Sequence, residues 1–396
     1  MADFLRVNRN KIMSGNQPVH LKGVNLGGWL MMEAYFMHAP NIAEQVFKKD
    51  FEKRLGTEAL HELENKFRDY FIRKEDIRMI AEMGFNCVRL PFNCRLIEKN
   101  PFEYDLDGVA YLDRAIRWAQ QNGLKVILDL HAAPGAQNHD WHSDSLGKAG
   151  LWSSRSNQER VFALWKFIAE RYKNNGTIAG YDLLNESVID NTEQLNCFYQ
   201  ELIKAVRMVD RNHILFVEGN RWAIDLDCLR DFDDDNWAYS IHFYHPIEFT
   251  FNLTQELKYP LRSEHGGFDK STLRGMTAAY EKFSKKRPVF VGEFGVHSRQ
   301  GIYGEDLWLI DLLDCFEEAD FHWTYWTYKA VKNYMFPDGI FSYFPNDPWV
   351  HRQGPKSGWD TWADCWPTMK TKMIRSWQTK NFKANESVAG VLKKYL

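Results

Sequence analysis

The sequence predicts a single-domain α/β fold, a (β/α)8 TIM barrel spanning residues 1–396. The first observation is that eight short apolar segments alternate with longer amphipathic segments of helical spacing. The second is that eight strands close such a barrel, which occupies roughly 200 to over 400 residues. The third concerns the main alternative, a doubly wound sheet, whose Gly-rich phosphate turn is not matched by Gly23–Gly28.

The eight strand candidates are short, rich in β-branched or aromatic residues, and bounded by Gly, Pro or polar turns. They are His20–Leu26, Asn86–Leu90, Lys125–His131, Ile178–Asn185, Ile214–Glu218, Ala238–Phe243, Val289–Glu293 and His322–Thr327. Apolar residues recur at helical spacing between them, for example over Val161–Tyr172 and Leu195–Val209. We expect the last helix within Met369–Leu396, where Trp377 and Phe382 pack against the barrel.

Two segments are longer than an ordinary connection and predict long loops after strands 1 and 8. They are Trp29–Gly56 and Ala330–Pro367. Long loops in a compact domain are usually functional, and in a barrel they surround the carboxyl ends of the strands. The second segment is crowded with aromatic residues: Tyr334, Phe336, Phe341, Tyr343, Phe344, Trp349, Trp359, Trp362 and Trp366.

Composition excludes several classes of partner. The formal net charge is −3, so the chain does not resemble a polybasic protein that binds nucleic acid. No apolar run reaches the ~18 to 20 residues of a membrane span. No signal peptide is visible at the start, which favours a cytoplasmic location, although a removed signal would also be compatible with secretion. Aromatic residues make up 15% of the chain, which favours a groove that stacks on sugars.

Polar residues follow most of the predicted strands, and a barrel would gather them around one mouth. Among them, Glu186 and Glu293 are the candidate catalytic pair. Cleavage of a glycosidic bond needs one carboxylic acid that protonates the leaving oxygen and a second, ionised carboxylate. A structural ion pair or helix cap would explain one such Glu, whereas two in this set favour catalysis. Arg89 is expected to hold a neighbouring carboxylate ionised or to form a buried salt bridge.

Seven motifs resemble, in order, those of the exo-β-1,3-glucanase branch of family 5 glycoside hydrolases. The resemblance covers about residues 20 to 330 and rests on the joint pattern. The motifs are Gly23–Leu30 with Glu33, Asn86–Phe92, Asp129–Asn138, Asn185–Glu186, His242–Tyr244, Glu293–Gly295 and Trp326–Lys329.

The resemblance implies a retaining double displacement with Glu186 as acid/base and Glu293 as nucleophile. It further implies that Asn185 bonds the sugar 2-hydroxyl and that Arg89 and Tyr244 orient Glu293. His131 and His242 would line the subsite of the cleaved sugar, Trp326 would form its floor, and Glu33 would bind the terminal residue. Glu186 is then expected to stay protonated while Glu293 is ionised.

The substrate that the resemblance implies is a β-1,3-glucan or an oligosaccharide, hydrolysed from its end. The run His139–Asp144 departs from the shorter, Gly-rich segment expected in that family, which leaves the aglycone open. A β-glucosidase acting on an apolar aglycone, such as a glycolipid, is therefore an alternative. A third hypothesis is a non-catalytic glycan-binding barrel. Such a barrel would have another residue in place of Glu186 or Glu293, and both are present. No cofactor or metal is expected, because His131, His139 and His142 match no zinc spacing.

Overall fold

The fold is taken from a computed structural model of the chain. It describes residues 4–37, 39–254, 256–263, 266–331, 335–343 and 359–396. Tyr334, Phe344 and Trp349 of the predicted aromatic loop lie outside the described residues.

Eight parallel strands close into a barrel, which confirms the predicted fold class. In chain order they are β1 Lys22–Asn25, β2 Cys87–Asn93, β3 Lys125–Ala132, β4 Ile178–Asp182, β5 Ile214–Glu218, β6 Trp237–His242, β7 Val289–Phe294 and β8 His322–Tyr325. Each strand pairs with its neighbour in sequence, and β8 closes on β1 through the pairing of Tyr325 with Val24. All eight predicted strands overlap the observed ones.

The longer helices surround the barrel or follow it. They are α1 Glu44–Leu55, α2 Thr57–Tyr70, α3 Lys74–Glu82, α4 Leu106–Gln121, α5 Arg155–Tyr172, α6 Thr192–Arg207, α7 Lys270–Ser284, α8 Glu305–Glu318, α9 Trp359–Ser376 and α10 Glu386–Leu392. Their apolar faces and the outward side chains of the strands form the main core. None of the helices in the described part of the chain has the length and apolarity needed to cross a bilayer.

A small antiparallel sheet covers the amino-terminal end of the barrel. Its strands are Leu5–Asn8, Lys11–Ser14 and Gln17–Pro18. Leu5 and Ile12 of this sheet belong to a separate buried cluster with inward residues of the barrel strands, among them Phe216 and Phe290. This end of the barrel is thereby filled with apolar side chains, and the open end is the carboxyl-terminal one.

The long segment after β1 is partly helical rather than a loop. A 3-10 turn covers Ala34–Met37, and α1 follows a few residues later. Phe47 and Phe51 stand four residues apart on α1, so both rings lie on its buried face. The prediction that Trp29–Gly56 is one long loop missed this helix.

The aromatic segment after β8 also contains helix, and three of its tryptophans lie away from the barrel mouth. Trp359, Trp362 and Trp366 fall on one face of α9 and are buried. Trp359 stacks on Phe47 at 4.6 Å between ring centroids, and Trp366 meets Phe51 at 6.1 Å. The expectation that these tryptophans surround the mouth was wrong, because they form the packing between α9 and α1.

Candidate active site

A cavity of about 410 Å³ opens at the carboxyl ends of the barrel strands. Most of the predicted site residues line this cavity. Arg89 and Asn185 do not line it, because both are fully buried beneath the residues of its wall. Those on the wall are Glu33, His131, Glu186, His242, Tyr244, Glu293 and Trp326. The strands therefore bring together side chains that stand up to about three hundred residues apart in sequence.

Arg89 points from β2 into the barrel axis and binds acidic groups from several strands. Its Nη1 donates to Glu293 Oε1 at 2.7 Å, and its Nε donates to Asp182 Oδ2 at 2.9 Å. Its Nη2 donates to Asn185 Oδ1 at 2.9 Å and lies 3.1 Å from carboxylate oxygens of Asp129 and Glu218. One guanidinium thus serves four buried carboxyl groups, which are Asp129, Asp182, Glu218 and Glu293.

Acidic groups outnumber cations in this buried network. Oxygens of Asp129, Asp182 and Glu218 lie within 4.8 Å of one another, close enough to resemble a metal-ligand set. Arg89 supplies positive charge to that set. Burial and the charge on Glu218 raise the pKa of Asp182 well above its usual range, against the opposing effect of Arg89. Burial beside Glu218 therefore disfavours a charge on Asp182, and the Arg89 guanidinium offsets part of that cost.

Glu293, at the end of β7, accepts a hydrogen bond on each carboxylate oxygen. Arg89 donates to Oε1, and the hydroxyl of Tyr244 donates to Oε2 at 2.8 Å. Two donors on two oxygens suit an ionised carboxylate, which has acceptors only. The two contacts fix the plane of the carboxylate at the cavity wall.

Glu186 follows β4 in a left-handed backbone conformation with φ of 49°, which is uncommon for a residue other than Gly. Its backbone N–H donates to Glu218 Oε2 at 2.6 Å. Its Oε1 lies 2.6 Å from Nδ1 of His242, and its Oε2 lies 3.5 Å from Nε2 of His142. Backbone strain of this kind persists where the surroundings fix it, and here Glu218 and two histidines do so.

The charges around Glu186 differ from the sequence-based expectation that this residue holds a proton. Burial acts to raise the pKa of Glu186, but the hydrogen bond from His242 and the charges of His242, His142 and His131 lower it to about 2. Burial also opposes charge on His242, yet Glu293, Glu218 and Glu186 raise its pKa well above the usual range. These opposite pKa shifts favour the shared proton on His242 and an ionised Glu186.

The two candidate carboxylates lie close together. One oxygen of Glu186, one oxygen of Glu293 and one ring nitrogen of His242 all lie within 4.8 Å of one another. His242 Nδ1 is 3.5 Å from Glu293 Oε2, so the imidazole stands between the two acids.

The far side of the cavity carries groups suited to sugar hydroxyls. His131 Nδ1 bonds Asp129 at 2.7 Å, while its Nε2 lies 3.6 Å from Glu33 Oε1. The indole of Trp326 stacks on His131 with centroids 5.5 Å apart and planes 6° apart. The side-chain nitrogen of Asn185 is buried and has no hydrogen-bond partner among the described residues, so it is available to an acceptor oxygen.

Three aromatic rings from three loops close the cavity on this same side. Tyr35 follows β1, Trp141 follows β3, and Phe336 follows β8. Tyr35 lies 5.2 Å from Phe336 and 6.1 Å from Trp141, and Trp141 lies 6.0 Å from Phe336, measured between ring centroids. We call these three rings the aromatic wall. Tyr35 is also tied to the site floor, because its hydroxyl accepts a hydrogen bond from the indole of Trp326.

A protein-family model described as Cellulase (glycosyl hydrolase family 5) matches residues 51–332, which is more than half of the chain. The chain belongs to glycosyl hydrolase family 5. It is a glycosidase that acts on β-glycosidic bonds. The resemblance found in the sequence motifs is thereby confirmed.

Curated relatives of this family 5 chain include several kinds of glycosidase. It is 32% identical over 350 residues to a beta-xylosidase of Phanerodontia chrysosporium, covering 83% of this chain and 71% of the relative. It is 30% identical to endoglucanase C of Acetivibrio thermocellus, covering 78% and 91%. A glucan 1,3-beta-glucosidase of Blumeria graminis is 34% identical, but the match covers only 52% of this chain and 51% of the relative.

Solved structures agree on the family 5 fold. Endoglucanase Cel5A of Thermotoga maritima superposes with a TM-score of 0.61 at 23% identity, covering 81% of this chain and 92% of that one. A mutant form of the same enzyme, in complex with cellobiose, superposes with a TM-score of 0.63 at 21% identity, covering 94% and 96%. At this identity the likeness supports the barrel architecture alone.

Sequence reasoning missed His142 and Asp140, which follow β3 beside Glu186. His142 was considered only as a metal ligand, yet its side chain is only 16% exposed and lies beside Glu186. Its Nε2 lies 3.6 Å from Asp140 Oδ2 as well as 3.5 Å from Glu186. The available signal was the departure of His139–Asp144 from the family pattern, because a replaced segment next to a catalytic strand end is a candidate site segment.

Replacing Asp140 with Asn will lower the pKa of His142. Burial acts to lower this pKa, but the hydrogen bond to Asp140 and the charges of Glu186 and Glu33 outweigh burial and raise it. Asn keeps an acceptor oxygen and removes the negative charge, so we expect the pKa of His142 to decrease. Histidine NMR titration of both proteins measures the change.

The control is Asp320→Asn, which removes a carboxylate beside His20, remote from the cavity. It should leave the pKa of His142 unchanged. An unchanged pKa of His142 in Asp140→Asn would contradict the charge pairing described here.

Proposed function

We propose that this family 5 enzyme hydrolyses terminal β-glucosidic bonds with retention of anomeric configuration. The observation that carries the proposal is the approach of Glu186 and Glu293 oxygens to within 4.8 Å. Retaining glycosidases place their two carboxyl groups about 5 to 5.5 Å apart, whereas inverting enzymes need about 6.5 to 9.5 Å to admit a water. The short separation supports direct attack on the sugar by one of the two acids.

In the first step, Glu293 attacks the anomeric carbon while the bond to the leaving oxygen breaks. Glu186 gives its proton to that oxygen, and an ester joins the sugar to Glu293. In the second step, Glu186 takes a proton from water, the water oxygen attacks the anomeric carbon, and Glu293 leaves as a carboxylate. Its hydrogen bonds from Arg89 and Tyr244 stabilise the charge that returns to it.

Glu186 needs a proton for the first step, and His242 is its nearest source. The imidazolium lies 2.6 Å from Glu186 Oε1, so one short transfer converts the ion pair into a neutral imidazole and a carboxylic acid. The proton that Glu186 takes from water in the second step restores the pair. Because the groups share one proton, they titrate as a unit rather than as separate residues.

The glycone is proposed to lie over Trp326, between Asn185 and Glu33. The free side-chain nitrogen of Asn185 supports a hydrogen bond to the 2-hydroxyl. Glu33 supports bonds to hydroxyls farther from the anomeric carbon, because its Oε1 is buried without a hydrogen-bond partner among the described residues. The aromatic wall closes this side of the cavity with three rings in mutual contact, which supports exo action.

The first test is the stereochemistry of hydrolysis. Proton NMR of an aryl β-glucoside reaction should show β-glucose as the first product, before mutarotation. Glu293→Gln should lose about 1000-fold or more in kcat, because the nucleophile is removed. Glu186→Gln should retain far more activity on a dinitrophenyl glucoside, whose leaving group needs no protonation, than on an alkyl glucoside.

Glu201→Gln serves as the matched control, because Glu201 pairs with Arg155 on the helix surface. It should retain wild-type kinetics. α-Glucose as the first product would contradict the double displacement. If the wild type hydrolysed β-xylosides but no β-glucoside, the sugar at the cleaved bond would be xylose rather than glucose.

The second test is the product pattern from laminaripentaose. Exo action from the non-reducing end gives glucose and laminaritetraose first, because the aromatic wall blocks further sugars. Chromatography of the earliest products, at under about one-tenth conversion, distinguishes exo action from endo action. Phe336→Ala shortens the wall, so we expect it to add laminaribiose and laminaritriose to the early products. Early laminaribiose and laminaritriose from the wild type would refute the exo proposal.

A further inference from the structure

The open side of the cavity is apolar. Trp222, Ile224 and Ile247 line the same cavity as Glu186 and Glu293, yet their side chains are 39%, 37% and 42% exposed. Large apolar side chains are usually buried, and several exposed ones that line the same binding cavity indicate a ligand surface.

Barrel geometry places this surface opposite the proposed glycone groups. Trp222 and Ile224 follow β5, and Ile247 follows β6. In a ring of eight strands, β5 lies directly across from β1, which precedes Glu33. Glu186 follows β4 and Glu293 lies at the end of β7, and both line the same cavity as Glu33 and Trp222. The cavity therefore extends from Glu33 past the two carboxylates to Trp222.

The ring of Trp222 is held in place rather than free on the surface. Arg221, Trp222 and Ala223 have positive φ angles of 52°, 57° and 62°, a left-handed turn made without glycine. The indole nitrogen of Trp222 donates to Asp140 Oδ2 at 2.7 Å, and its backbone N–H donates to the carbonyl of Ser187, next to Glu186. Left-handed residues in sequence are strained and persist where surrounding contacts fix them.

Polar groups on this side are few or already engaged. Asp140 is bound to Trp222 and lies beside His142. Burial lowers the pKa of His245, which is therefore neutral at pH 7, although Glu248 opposes the shift. Arg221 is an exposed cation at the rim. A second sugar would present hydroxyls to Trp222 and the two isoleucines, whereas an alkyl or aryl group would bury against them.

We propose that Trp222, Ile224 and Ile247 form an aglycone subsite for an apolar alcohol, so that the preferred substrate is an alkyl or aryl β-glucoside. This inference rests on the proposed function, because it assumes that the glycone occupies the side of Glu33. Trp222 is the platform of the subsite, and its bond to Asp140 sets the plane of the ring beside Glu186.

Alkyl β-glucosides test the subsite, because methyl, butyl and octyl alcohols differ in apolar area far more than in leaving-group basicity. Octyl glucoside is used below its micellar concentration, and laminaribiose is the sugar-aglycone reference. We expect kcat/KM to rise at least about 20-fold from methyl to octyl, as a few buried methylenes require. We also expect octyl glucoside to exceed laminaribiose.

Trp222→Ala should reduce the octyl-to-methyl ratio to about threefold or less, and Trp222→Phe should keep an intermediate ratio because it keeps a ring. Leu106→Ala is the control, since Leu106 is 63% exposed at the start of α4 and does not line the cavity. Its ratio should match the wild type.

Two failures are distinguishable. A flat series across the alkyl glucosides, or an unchanged ratio in Trp222→Ala, would overturn the apolar subsite while leaving the β-glucosidase reaction in place. Absence of hydrolysis of every β-glucoside, including a 4-nitrophenyl glucoside, would overturn the proposed function and the subsite with it.

Discussion

The guanidinium of Arg89 at the barrel axis is the interaction on which the site depends. It is fully buried and contacts carboxyl groups that arrive on β3, β4, β5 and β7. Removing one partner from such a buried network leaves charge without compensation and typically costs about 3 to 5 kcal/mol. The same contacts position two of the candidate site residues, because Arg89 donates to Glu293 and to the amide oxygen of Asn185.

Two side chains extend this network to the cavity wall. Asp129 binds both Arg89 and His131, and His131 carries the stacked ring of Trp326. Glu218 binds Arg89, lies 3.3 Å from His242, and accepts the backbone N–H of Glu186. Its contacts and complete burial assign it a structural role.

The barrel was predictable because each strand is a short apolar run that ends in polar residues, and parallel closure places those ends together. The departure of His139–Asp144 from the family pattern marked the segment, but no local pattern predicted the contact of His142 with Glu186, which lies more than forty residues away in sequence. Tyr35, Trp141 and Phe336 meet across three loops, and no local pattern reports such a contact. The tryptophans of α9 were misassigned because helical spacing alone does not say which surface a helix covers.

The central claim is that Glu293, held by Arg89 and Tyr244, forms the bond to the sugar. Inactivation with 2-deoxy-2-fluoro-β-glucosyl fluoride, followed by peptide mass spectrometry, tests it most directly, because the fluorine slows breakdown of the glycosyl-enzyme. The account predicts one added fluoroglucosyl group per chain, on the peptide that contains Glu293. A label on Glu186 or on another residue, or no label in an enzyme that turns over β-glucosides, would contradict it.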